Sequence, residues 1–292
     1  MTFYFCNPLL KSEKKTKQIL NKYYNFILLN NIRLNKKYIN IYYDIQCSDG
    51  IKYVDKMKRD TIFISVCKIN IPSNLNFTNY YFITNYSWNP NFSFTKPISN
   101  KKILEYKKIF GFQENYKINK EGFILIILNN SYGWFKDTCK IKYNKDNSNY
   151  FKMLDNLIYE IRKYTKRKIV LRLHPKDRNH KLELQIKNRN NNFDIDNKTE
   201  ILDLIENTYC VFIQNTKMIL DFVNKGIPIF NLDFFKVNYF PEIQIKDISK
   251  IEKLDKIELP NREKFLERFY SFITFDIENI LIDIHKKFHF MF

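Results

Sequence analysis

Four short segments carry residues whose types and spacing suit phosphate chemistry. Asn130-Ser131-Tyr132-Gly133-Trp134-Phe135-Lys136 comes after the apolar run Gly122–Leu128. Arg172-Leu173-His174-Pro175-Lys176-Asp177 closes the run that starts at Lys168. Gln214-Asn215-Thr216-Lys217 ends the run that starts at Tyr209, and Asp233 comes after Ile227–Asn231. An arginine at a strand end can grip phosphate oxygens in a bidentate way. The proline after His174 fixes the chain and suits a rigid site loop. A helix opening at Asn215-Thr216 would aim unbonded backbone N–H groups at an anion. The plainer readings are an N-cap for Thr216, packing for His174, core for Trp134 and a solvated charge for Lys136.

Such residues meet only if strand ends bring them together. Gly122–Leu128 (GFILIIL) reads as a strand buried on both faces. Tyr150–Tyr164 is an amphipathic helix, with Phe151, Leu154, Leu157, Ile158 and Ile161 on one side. Strands are expected at Lys168–Leu173, Tyr209–Gln214 and Ile227–Asn231, and helices at Thr199–Asn207 and Thr216–Lys225, the latter closed by Gly226. This alternation implies a parallel sheet with right-handed crossovers. In such a sheet, ligands bind beyond the carboxyl ends of the strands. The first hundred residues are weakly patterned α/β. Strands are expected at Thr2–Phe5, Thr61–Val66 and Tyr80–Thr84, helices at Ser12–Leu28 and Asp49–Met57, and a linker at Asn85–Asn100. Two helices, Arg262–Phe272 and Phe275–Phe288, are expected after Pro260.

The chain has 292 residues, 45% of them hydrophobic and 17% aromatic, which is ample for a core. No run of 18 apolar residues exists, and the N-terminal stretch lacks the pattern of a signal peptide. Five scattered cysteines form no CxxC pair, which points away from a zinc site or disulfide framework and towards a reducing cytoplasm, the host's if the chain is viral. The net charge of +18 favours polyanionic partners, although the excess of Lys, Asn, Ile, Phe and Tyr also fits an AT-rich gene. From Arg162 to Arg189 there are eleven Lys and Arg against two acids. Arg162, Lys163, Lys166, Arg167, Lys176 and Arg178 are therefore the expected acceptor- or phosphate-binding group.

RLHPKD, then VFIQNTKMILDFVNKGIPIFNLD some forty residues later, resembles the donor-binding half of GT-B glycosyltransferases, including capsule polysaccharide transferases of the Kdo group. Arg172, His174 and Pro175 match that family's R-x-H-P. Asn215-Thr216 matches its N-S, with Thr for Ser, and Gly226 and Pro228 match its G-x-P. The chain is also similar to bacteriophage-encoded glycosyltransferases over roughly Tyr80 to Ile284. The matching segments are NNSYGWFKD (129–137), IRKYTKRKIVLRLHP (161–175), YFITNYSW (81–88) and REKFLERFYSFITFDIENI (262–280). Phe82 stands where that family has Arg, and Phe272 or Ile273 where it has Trp.

The resemblance implies an α/β, GT-B-like fold of two Rossmann-like lobes. Residues 1–100 would be an acceptor-side lobe and 101–260 the nucleotide-sugar lobe, with residues 261–292 as helices packing back across both. It implies transfer of a sugar from a nucleoside diphosphate sugar, a UDP-sugar by preference, with no metal and no other cofactor. Ser131, Trp134, Lys136, Arg172, His174, Pro175, Asn215, Thr216, Lys217 and Asp233 become the expected donor-binding set. Asp44, Asp49 and Asp60 are candidate bases by residue type alone. Three acceptor readings stay open: a hydroxymethylated base in double-stranded phage DNA, a surface polysaccharide or glycan, or a non-catalytic nucleic-acid-binding module.

Overall fold

The computed structural model describes residues 2–5, 25–28, 40–43, 61–68, 79–85, 98–128, 148–174, 180–189, 192–213, 218–232, 241–271 and 273–274. The chain divides into two compact units. One comprises residues 1–69, 73–103 and 266–292, and the other residues 70–72 and 104–265.

The first unit is built on a six-stranded sheet of β1 (Thr2–Phe5), β2 (Asn25–Leu28), β3 (Asn40–Tyr43), β4 (Thr61–Lys68), β5 (Asn79–Asn85) and β11 (Ile273–Thr274). Their order is β2-β1-β3-β4-β5-β11. The first four are parallel, whereas β5 runs antiparallel to β4, and β11 antiparallel to β5. Two expectations need correction. Asn25–Leu28 is a strand and not the last turn of a helix, because pairing with Thr2–Phe5 overrides the helical spacing of its apolar residues. Ile273–Thr274 is a strand lying between the two segments read as C-terminal helices.

The second unit holds the elements expected to carry the site. In chain order they begin with α1 (Asn100–Ile109, its first residues in the other unit), β6 (Phe123–Ile127), α2 (Ser148–Arg162), β7 (Ile169–Arg172), α3 (His180–Lys187) and β8 (Asp194–Ile195). They continue with α4 (Ile201–Glu206), β9 (Thr208–Ile213), α5 (Ile219–Asn224), β10 (Ile229–Asn231) and α6 (Arg262–Tyr270, its residues from 266 on in the other unit). The five strands are all parallel, in the order β10-β9-β6-β7-β8. β7 and β9 are buried at every position, so both faces of the sheet are covered there. The apolar side of α2 (Phe151, Leu154, Leu157, Ile158 and Ile161) packs on Ile124, Ile126, Ile169 and Leu171 in one core.

Two glycines let backbones approach. Gly226 ends α5 in a Schellman turn: Ile227 N–H donates to Phe222 O at 3.0 Å and Gly226 N–H to Val223 O at 3.2 Å. Its φ is +70°, and a Cβ there would sit 2.5 Å from the Asn115 carbonyl oxygen. Gly226→Ala therefore meets both a left-handed backbone and a backbone clash. We expect a loss of roughly 2–3 kcal/mol, read as a lower urea midpoint with unchanged slope; an unchanged midpoint would refute it. Gly122 has no such angle, but a Cβ there would lie 2.7 Å from Tyr209 N, where β6 meets β9.

Candidate functional site

The strand order is the foundation of the site. From β6 the chain steps to β7 and β8 on one side, then returns past β6 to β9 and β10 on the other. Numbered within this sheet the order is 3-2-1-4-5, and it reverses between β6 and β9. Connections leave in opposite directions from the carboxyl ends of those two strands, which opens a crevice there. The register places Ile127 beside Arg172, and Ile213 beside Asn231, along that edge. Beyond β10 one bridge, Phe230 to Ile245, extends the edge, and buried Gln244 donates from Nε2 to the Ile213 carbonyl at 3.3 Å.

Arg172 and His174 are the members of the expected donor set among the described residues. Ser131, Trp134, Lys136, Pro175, Asn215, Thr216, Lys217 and Asp233 lie outside them, although the strands that lead into these segments end at the crevice. The expected helix start at Asn215-Thr216 needs correction: α5 begins at Ile219, with Met218 as its N-cap. His174 is half-buried two residues past the end of β7. Arg172 is 9% exposed and turns towards the β8–α4 turn. Its Nη1 donates to Thr199 O at 2.5 Å and Asp196 O at 3.4 Å, and lies 3.8 Å from Asp196 Oδ1. The structure thus gives Arg172 a supporting contact that its position alone did not disclose.

That turn, Asp196–Thr199, was missed in the sequence. Asp196 Oδ1 accepts from Lys198 N–H at 3.0 Å and Thr199 N–H at 2.9 Å, and Oδ2 from Thr199 Oγ1 at 2.6 Å. Burial pushes the Asp196 carboxyl pKa up, but the Thr199 and Lys198 hydrogen bonds and the Arg172 charge outweigh it and hold it below the usual carboxylate range. A carboxylate with a depressed folded pKa stabilises the fold above its unfolded pKa, and that contribution is lost as pH falls through the folded value. We therefore expect amide exchange at Lys198 and Thr199, corrected for intrinsic rates, to quicken below about pH 4. Protection that persists to pH 2 would contradict this. The signal available in the sequence was the D-N-K-T run itself, since Asp caps its own chain two and three residues on.

The triplet Asp194-Ile195-Asp196 has the D-x-D spelling associated with metal-dependent transferases. Here Asp194 pairs with Lys168 at 2.7 Å, and Asp196 is committed to its turn. Among the described residues no group of three His, Cys, Asp or Glu is arranged to hold a metal.

Of the expected basic group, Arg162, Lys163, Lys166 and Arg167 are among the described residues. Arg162 and Arg167 lie where α2 ends and β7 begins, at the amino edge of the sheet. The four residues of β7, about 13 Å of strand, separate them from Leu173 and the segment that follows. Both arginines are turned to structural tasks. Arg162 donates to Arg167 O at 2.5 Å and Asn192 O at 2.6 Å. Arg167 pairs with Glu252 at 3.1 Å, stacks 3.8 Å over the Tyr209 ring and donates to Lys120 O. Lys163 pairs with Glu160 at 2.6 Å, and Lys166 is exposed. Lys176 and Arg178 lie outside the described residues. Asp44, Asp49 and Asp60 do too, although β3 ends at Tyr43 and β4 begins at Thr61.

No helix among the described residues is long and apolar enough to cross a membrane. No protein-family model matches the sequence, and no curated protein does. Among solved structures, the chain is similar to the KpsC beta Kdo 2,7 transferase of Thermosulfurimonas dismutans. The TM-score is 0.52 at 10% identity, over 92% of this chain and 90% of that one. A UDP-GlcNAc 2-epimerase of Methanocaldococcus jannaschii matches at TM-score 0.39 and 15% identity, over 92% of this chain and 98% of that one. MnaA of S. aureus, solved with UDP, matches at 0.31 and 12%, over 58% of this chain and 47% of that one. The last two superpose too loosely to identify a fold; the first supports the α/β, GT-B-type architecture that the strand orders display.

Proposed function

We propose that this chain is a glycosyltransferase that moves a sugar from a nucleoside diphosphate sugar to a hydroxyl group. The observation that carries the reading is the 3-2-1-4-5 parallel sheet with Arg172-Leu173-His174 leaving its second strand beside the switch point. The diphosphate would lie over the carboxyl ends of β6 and β9. In this reading His174 faces the phosphates, while Lys136 and the backbone N–H groups at Asn215 and Thr216 stabilise the charge on the leaving nucleotide. Arg172 acts one step back, holding the Asp196–Thr199 turn against the end of β7.

Two acceptors fit this donor site. A hydroxymethylated base in duplex DNA is supported by the charge of +18 and by the likeness to phage transferases. A surface polysaccharide or glycan is supported by the fold shared with a Kdo transferase. The test incubates the protein with labelled UDP-sugars and, in parallel, hydroxymethylated DNA, unmodified DNA and oligosaccharides. Label in hydroxymethylated DNA alone supports the first, and label in oligosaccharide the second. A chain that binds DNA, transfers nothing and gains no thermal stability from any nucleotide sugar would be a binding module, and the proposal would fall.

A further inference from the structure

One amide from elsewhere in the chain bridges the residue before His174 and the first turn of α3. Asn197, in the turn after β8, accepts through Oδ1 from the Leu173 N–H at 3.0 Å. Through Nδ2 it donates to Glu183 Oε2 on α3, also at 3.0 Å. Leu173 directly precedes His174, and Glu183 lies in the first turn of the next helix. Each flank is anchored in turn. Arg172 donates from Nη1 to Thr199 O at 2.5 Å, and Glu183 Oε1 pairs with Lys187 at 2.8 Å. Glu183 and Asn197 are both half-buried, where a lost partner is only partly replaced by water.

We propose that Asn197 is a positioning residue that sets the His174 segment for binding a nucleoside diphosphate sugar. This rests on the donor-site reading above. The chemistry demands an amide: one position must accept from a backbone N–H and donate to a carboxylate, which neither Asp nor Leu can do. A His174 backbone fixed in advance loses less freedom when ligand binds, so loosening the clip weakens binding without removing any group that touches the ligand.

The polarity of the clip supplies the test. Asn197→Asp keeps an acceptor for Leu173 but sets a second carboxylate against Glu183. Adding Glu183→Gln restores the link with donor and acceptor exchanged, and Glu183→Gln alone keeps it. Binding of UDP-glucose, UDP-GlcNAc and UDP-galactose is measured by calorimetry for each protein, with unfolding midpoints alongside. We expect about tenfold weaker binding for Asn197→Asp, recovery to within about threefold in the double variant, and near wild-type binding for Glu183→Gln. Equal weakness in the double and single variants would overturn the proposal, as would undiminished binding by Asn197→Asp. Should Asn197→Asp fail to fold, Glu183→Ala opens the same clip from a helix surface, and unchanged binding there would also overturn it. Amide exchange at Leu173 needs no ligand: Asn197→Ala should raise it at least tenfold. If the wild type binds no nucleotide sugar yet this exchange responds, the clip stands and the donor-site reading fails; an unresponsive amide defeats the clip itself.

Discussion

Replacing Arg262 with methionine should lower the unfolding free energy by about 3 kcal/mol. Arg262 is 4% exposed at the start of α6. Its Nη1 donates to Val223 O at 2.8 Å and its Nη2 to Glu114 O at 2.7 Å. Its guanidinium lies 4.4 Å from the Tyr116 ring centroid and 5.0 Å from that of Phe112. Tyr116 in turn donates to Pro260 O at 2.8 Å, and burial pushes its hydroxyl pKa up to about 12. One cation thus ties the end of α5, residues 112–116 and the start of α6. Methionine fills much of the volume but removes the charged donor from the Val223 carbonyl, which keeps only the Gly226 N–H, and from the Glu114 carbonyl, each such bond being worth about 1.5–3 kcal/mol, and it forfeits the ring contacts. At roughly 2–4 °C per kcal/mol the melting midpoint should fall by about 6–12 °C. A midpoint within 2 °C of wild type would show that these contacts do not hold the unit together.

The second large effect is on activity. His174→Ala should cut sugar transfer about 100-fold while leaving the melting midpoint nearly unchanged. The side chain is half-buried just past β7, so truncation opens no large cavity. Removing one group that stabilises developing charge on a leaving phosphate typically costs 10²–10³-fold in rate. Side-chain effects on kcat rather than KM would place His174 at the transition state, and a pure KM effect would place it in donor binding. A variant with wild-type kcat and wild-type KM would remove His174 from the site.

Much of this was legible in the sequence, for reasons that differ by element. Phe123–Ile127, Ile169–Arg172 and Thr208–Ile213 announced themselves because strands buried on both faces must be apolar throughout. Gly226 marked its helix end because the left-handed turn excludes other residues. The two-residue β8 was invisible: Asp194–Ile195 has no periodicity, and it is a strand only because β7 pairs with it. The helix HKLELQIK was hidden by its charges, its buried side reduced to Leu182 and Ile186. The tasks of Arg162 and Arg167 were not legible, because their partners Asn192, Glu252 and Lys120 are far away in sequence.

Donor binding is the most direct test of the whole account. Melting midpoints of the full chain should be recorded against a panel of nucleoside diphosphate sugars, with free UDP and UMP as partial ligands. A sugar nucleotide at 100 times its Kd adds about 2.7 kcal/mol to stability. The account predicts a saturable rise of several degrees with at least one UDP-sugar, smaller with UMP and diminished in His174→Ala. No rise with any nucleotide sugar would contradict a donor site at the carboxyl edge of this sheet, and a rise that His174→Ala leaves untouched would confine His174 to the transition state.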